Sequence, residues 1–185
     1  MPVAEKRLTW DDIRDWPEDV SRQTELFDGR LQVSPTPGRD HGFANTELAA
    51  ALIEQVAKGR RGRLFVAPID VVLAPDCVCQ PDICFVSTAR LAIIEPTHIA
   101  GPPDLCIEII SESGRKRDEV TKFAAYARYG VAEYWLVDPA ARRIRTYRHE
   151  QGRYVLLNDA GEGDLVLSRV FPELHLDPAN VFPSA

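Results

Sequence analysis

Two carboxylates in this chain stand where an acidic side chain is expensive. Asp82 follows Gln80-Pro81 at the start of an apolar run, and Glu108 lies in the middle of Leu105-Cys106-Ile107-Glu108-Ile109-Ile110. A carboxylate inside an apolar strand is tolerated mainly when it is paired or bound to a metal. If the two strands pair antiparallel with Asp82 opposite Glu108, then Cys84 must face Cys106, because both pairs of numbers share one sum. Side chains two apart lie on one face of a strand, so all four would point the same way. Two neighbouring carboxylates repel each other and hold a divalent cation well. Hard cations such as Mg²⁺ prefer these oxygens and keep waters for chemistry. The alternative for Glu108 is a salt bridge to a buried Arg or Lys, or an edge facing solvent.

The elements that must position this pair are legible along the chain. A helix starts at Thr9, with Asp12 in capping-box spacing, and stops at Pro17. Leu26-Phe27, the turn pair Asp28-Gly29, then Leu31 and Val33 spell a hairpin. A long helix is expected from Arg39 to Lys58, with Ala44, Leu48, Ala51, Leu52 and Val56 near helical spacing. Arg63 to Leu73 and Cys79 to Val86 each read as one strand, and Asp104 to Ser111 as a third. Arg115 to Tyr129 forms a helix closed by Gly130, and Val131 to Val137 a fourth strand. Arg142 to Arg148 and Arg153 to Leu157 make a terminal hairpin around Gln151-Gly152, and Asp164 to Leu167 a short strand. This order predicts an α/β chain with a mixed sheet flanked by helices and additional hairpins.

Composition narrows the class. With 185 residues, 45% of them hydrophobic and 27% charged, the chain is expected to be one domain, with no need of a disulfide or structural metal. The N-terminus carries no secretory signal and no apolar stretch is long enough to span a bilayer, so a cytoplasmic protein away from the membrane is expected. Cys77, Cys79, Cys84 and Cys106 lack the paired spacing of a zinc site and read as buried free thiols. The net charge of −6 argues against binding nucleic acid over the whole surface. Its distribution is uneven: Ser111 to Arg148 carries +4 and the remainder −10. That asymmetry is compatible with a nucleic-acid partner.

A Pro-Asp on one strand and a mid-strand Glu on the next resembles the PD-(D/E)xK nuclease motif. More closely, the sequence resembles the Uma-type restriction endonuclease family. The resemblance rests on ELFDGRLQVSPTP (Glu25 to Pro37), His41, APIDVVL and QPDICFV (Ala67 to Val86), and PPDLCIEIISES (Pro102 to Ser113). It continues through Lys122 with Tyr126 and GVAEYWLVDP (Gly130 to Pro139). It implies a restriction-endonuclease-like core, about residues 20–140, with a C-terminal hairpin extension, about 141–170. It further implies Mg²⁺- or Mn²⁺-dependent hydrolysis of phosphodiester bonds in nucleic acid, with DNA favoured, and metal held by Asp82 and Glu108. The other reading of such a chain is a nuclease-fold module that binds nucleic acid or a protein without cutting.

One departure matters: Ile110 stands where the short motif has its lysine, two residues after the glutamate. The resemblance offers Lys122 as the substitute. Geometry permits it, because the strand runs about 10 Å past Glu108 and a returning helix recovers on the order of 10 Å by its second turn. The alternative is a surface pair with Asp118, four residues before Lys122. By resemblance Glu25, at the beginning of a hairpin strand, supplies a third acidic group; otherwise it is an exposed strand residue. His41 opens the long helix, where it could bind metal or phosphate or simply start the helix. Gln80 shares a strand face with Asp82 and could orient a water, while Arg115, Lys116 and Arg117 could contact phosphates. By analogy with restriction enzymes a homodimer is conceivable, with the terminal hairpin as its pairing surface.

Overall fold

Thr9 donates its backbone N–H to Asp12 Oδ2 at 2.9 Å, and this closes the start of the first helix, α1 (Trp10–Ile13). The computed structural model describes residues 6–17, 22–35 and 38–183. After α1 come β1 (Arg22–Phe27) and β2 (Arg30–Pro35), joined by Asp28 and Gly29 with φ of 48° and 74°. Positive φ at both central residues is the two-residue hairpin turn that Asp-Gly favours. The long helix α2 (Arg39–Gly59) buries Ala44, Leu48, Ala49 and Leu52 along one stripe. Then follow β3 (Gly62–Val66), β4 (Asp70–Ala74), β5 (Cys77–Cys79), β6 (Ile83–Ser87), β7 (His98–Ala100) and β8 (Leu105–Ile109). A π-helical turn (Arg117–Lys122) leads into α3 (Phe123–Tyr129), which Gly130 ends at φ 82°. The last strands are β9 (Glu133–Asp138), β10 (Arg143–Glu150) and β11 (Arg153–Ala160).

The strands form two mixed sheets, one ordered β2-β1-β5-β4-β7 and the other β11-β10-β9-β8-β6-β3. Each is antiparallel apart from a single parallel pairing, β4 with β7 and β8 with β9. The parallel step between β8 and β9 is made by the π turn and α3, since parallel neighbours need a crossover. Strand alternation sorts the six-stranded sheet into two faces. Ile83, Phe85, Leu105, Ile107 and Ile109 pack against α2 and the C-terminal residues Phe171, Leu174 and Phe182. Cys84, Val86 and Cys106 face the other way, onto Val71, Cys79 and Tyr126 from the five-stranded sheet and α3. The polypeptide is thus layered as helix, sheet, and a second layer of helix and sheet. Among the described residues, no helix is long and apolar enough to cross a membrane.

Three sequence expectations need correction. The run from Arg63 to Leu73 is two strands in different sheets, β3 and β4, broken around Pro68. The run from Cys79 to Val86 is likewise cut at Gln80-Pro81-Asp82 into β5 and β6. Proline cannot donate to a ladder, so both strands leave one sheet and enter the other at their prolines. Asp164 to Leu167 is not a strand: Val166 N–H bonds to Leu176 O, while Leu165 and Leu167 stay exposed. All four cysteines are buried and free, as expected. Burial pushes the Cys84 and Cys106 thiols up, which leaves them unreactive.

One buried acid serves the fold alone. Glu133, on β9, accepts from Trp135 Nε1 (2.6 Å) and Ser168 Oγ (2.7 Å) with one oxygen. Its other oxygen accepts from the Arg169 and Val170 amides at 2.7 and 3.2 Å. Removing the acceptor strands these donors in the interior. Glu133→Ala is expected to cost about 3 kcal/mol of stability. Urea unfolding measures it, and a change within about 0.5 kcal/mol would contradict the assignment.

Candidate active site

The site begins at the break between β5 and β6. Cys84 lies opposite Cys106 and Ile83 opposite Ile107, which is the register predicted from the sequence. Asp82 sits one residue before β6, level with Glu108 but past the end of the ladder. There its Oδ2 accepts from the Ile109 amide at 2.7 Å and lies 3.1 Å from His41 Nε2. His41 is in the first turn of α2, so Asp82 links the helix layer to β8 at the strand ends.

Glu108 is buried, and both of its oxygens are engaged. Lys122 Nζ donates to Oε2 at 2.8 Å, and the Tyr126 hydroxyl donates to Oε1 at 2.7 Å. Lys122 and Tyr126 are four apart, so one helix face presents both to one carboxylate. The surface pairing of Lys122 with Asp118 does not form. The segment is π-helical, with a turn wider than α, and Lys122 is fully buried between Glu108 and Glu25. Single π turns recur at functional sites. Ile110, in place of the short motif's lysine, is buried in the layer between the sheets.

Glu25 is not the exposed strand residue its sequence position allows. It lies mid-strand in β1, fully buried. Its Oε1 accepts from the Gln80 amide (2.8 Å) and forms an ion pair with Lys122 Nζ at 2.9 Å. Its Oε2 is buried without a hydrogen-bond partner, 3.6 Å from Arg117 Nε. Arg117 Nε also donates to Asp118 Oδ1 at 3.1 Å, and its Nη1 donates to Ser34 Oγ on β2. Gln80 does not aim at Asp82: its side chain donates to Asp70 Oδ1 at 2.9 Å, and its carbonyl accepts from Lys122. Arg115 is turned away too, bidentate on Asp138 at 2.7 and 3.2 Å.

Glu25, Asp82, Glu108 and Asp118 are thus gathered around Lys122 and Arg117, with His41 at one edge. Four carboxyl groups face two permanent cations, so acidic groups are in excess. Lys122 is held charged well above its usual range because Glu108 and Glu25 outweigh the cost of its burial. Burial, with Asp82, Asp118 and Glu25 nearby, pushes the Glu108 carboxyl up, and burial raises Asp118 as well. An acid with a raised folded-state pKa stabilises the fold fully below its unfolded value, here 4.5 for Glu108, and that contribution is lost as pH rises through the folded value. In chelator-treated protein this contribution to the thermal midpoint is therefore expected to decline as pH is raised above about 4.5. Glu108→Gln should flatten the decline; an equally steep decline in that variant would refute this account.

Sequence reading missed the burial of Asp118 and the inward turn of Arg117. The signal available was the mixture of like and unlike charges at 115–119, which an exposed face explains equally well. Among the described residues, no three His, Cys, Asp or Glu side chains converge to enclose a cation by themselves. A Mg²⁺ site needs fewer, because that ion is commonly held by one or two carboxylates and keeps several waters. The excess of acidic groups, which a bound cation would help to ionise, and the unpartnered Glu25 oxygen fit such a cation.

The profile of the family described as "Uma2: Putative restriction endonuclease" matches residues 10–179. The chain belongs to the Uma2 family. The Uma2 match spans every site residue named above. The chain is also similar to a crystal structure titled as a putative nuclease belonging to DUF820 from Anabaena variabilis. The two share 25% identity over 95% of this chain and 97% of that one, with a TM-score of 0.78. No curated protein matches. Membership in Uma2 and this nuclease-like fold agree with the fold expected from the sequence.

Proposed function

We propose that this chain is a metal-dependent endonuclease that hydrolyses phosphodiester bonds of nucleic acid, with DNA the favoured substrate. The observation that carries the reading is the pair Asp82 and Glu108, level with each other, Glu108 on β8 and Asp82 just before β6, inside a cluster whose acidic groups outnumber its cations. In this reading Asp82 and Glu108 hold Mg²⁺ or Mn²⁺, which when bound would polarise the phosphate and lower the pKa of a coordinated water. Glu25 is the third acid beside that pair. Lys122 fixes Glu25 and Glu108 by pairing with both, and in this reading its ammonium supplies positive charge to offset the negative charge that develops at the phosphate. Tyr126 fixes the other Glu108 oxygen. His41, bonded to Asp82 and open to solvent on one side, can pass a proton at Nε2.

A second reading, a nuclease-fold module that binds without cutting, is favoured by one observation: both Glu108 oxygens are already hydrogen-bonded. The experiment that separates the two is incubation of supercoiled plasmid, beside a small chromogenic phosphodiester, with Mg²⁺, Mn²⁺ or a chelator. The endonuclease reading expects nicked plasmid only with metal. Hydrolysis of the small ester alone would point to another class of phosphoesterase. No turnover of either, together with retained DNA binding, would support the binding module.

A further inference from the structure

The acidic cluster is almost sealed, and the guanidinium of Arg117 reaches its solvent-touching edge. The side chains of Glu25, Glu108 and Lys122 are 0–2% exposed, whereas His41 and Arg117 reach 10% and 12%. An anion approaching from solvent therefore meets an imidazole and a guanidinium before it meets Glu25 or Glu108. Arg117 is also imperfectly matched to where it rests. Its Nε bonds Asp118, but Glu25 Oε2 at 3.6 Å lies beyond hydrogen-bonding distance and has no other partner. The guanidinium's Nη1 is held by a neutral hydroxyl, Ser34 Oγ. A guanidinium binds phosphate as a two-pronged fork, a stronger interaction than a bond to a hydroxyl. Of the basic run, Arg115 is committed to Asp138, which leaves Arg117 as the arginine of that run at the cluster.

We propose that Arg117 is the substrate's phosphate receptor, exchanging Ser34 for a phosphodiester oxygen when nucleic acid binds. The proposal rests on the nuclease reading and adds a residue to it. Ser34 is then a resting anchor: it holds the fork at the mouth of the site and is given up on binding. A purely structural Arg117 would instead neutralise Glu25 and Asp118 permanently, and Ser34 would be part of that lock.

The test is fluorescence anisotropy of a short labelled DNA duplex against full-length protein over a range of salt, with Ca²⁺ present. Arg117→Gln is expected to weaken binding about 10-fold and to reduce the salt slope by about one, the signature of one lost phosphate contact. Arg117→Lys keeps the charge but not the fork, so it should retain the slope and bind several-fold more weakly. It also serves if the glutamine variant unfolds. Ser34→Ala should bind as well as the unaltered chain or better. Unchanged affinity and slope in Arg117→Gln, or in Arg117→Lys an affinity equal to the unaltered chain's, would overturn the proposal. So would a loss in Ser34→Ala equal to that in Arg117→Gln. If the unaltered chain binds no nucleic acid at all, the nuclease reading itself fails, and Arg117's role with it.

Discussion

Asp82→Asn or Glu108→Gln is expected to lower metal-dependent plasmid nicking by on the order of 1,000-fold, because each removes charge from a pair proposed to hold the metal. Both variants should stay folded for reasons visible in their contacts. An asparagine carbonyl at 82 can still accept from the Ile109 amide, and a glutamine carbonyl at 108 from the Tyr126 hydroxyl. In Glu108→Gln, Lys122 keeps Glu25. Loss of cleavage with an unchanged circular dichroism spectrum therefore reports on the chemistry, not on collapse of the site. Cleavage that survives in both variants would remove these carboxylates from the mechanism.

The second large effect is on stability. Lys122→Met keeps the volume of the side chain and deletes its charge, leaving Glu25 and Glu108 facing each other with Asp82 and Asp118 nearby. Breaking a buried ion pair by removing one partner costs about 3–5 kcal/mol, and here two carboxylates lose theirs. For a chain of this size the thermal midpoint should drop by about 10 °C. Because the cost is uncompensated acid rather than lost packing, the double variant Lys122→Met/Glu108→Gln should recover part of it. A drop under about 2 °C, or a double variant worse than the sum of the singles, would mean that Lys122 is not the charge that holds this cluster together. The same substitution should also abolish nicking, so stability and activity must be read separately.

Much of this arrangement was legible in the sequence because local rules and one arithmetic identity decide it. Asp28-Gly29 and Gly130 announce their left-handed positions, and the apolar spacing of α2 marks its buried face. The register of β6 on β8 followed from asking which residue must face Glu108. The resemblance supplied what spacing could not: Lys122 as the cation for a glutamate that lacks its neighbouring lysine. Other features stayed hidden because they depend on long-range partners. Apolar and β-branched residues continue on both sides of Pro68 and Pro81, so each run reads as one strand, and the prolines mark a break without saying that the chain enters another sheet there. Glu25 reads as an exposed hairpin residue until β5 is laid beside β1, which pairs Leu26 with Val78 and brings the Gln80 amide to the carboxylate. Asp118 and Lys122 have the spacing of an α-helical surface pair, and only the π turn separates them.

The net charge of −6 is a poor guide to a chain organised this way. Four of its acids are gathered at one place, where Lys122 and Arg117 offset them only in part. Acidity concentrated at a metal-binding position does not repel a phosphate as a uniformly acidic surface would, since a bound cation reverses the local sign. That view is tested most directly by a crystal of the unaltered protein soaked in Mn²⁺, with anomalous scattering recorded. The account predicts a single strong peak within about 2.0–2.3 Å of oxygens from both Asp82 and Glu108. A fully soaked crystal with no peak there, or with manganese only at exposed surface acids, would contradict it.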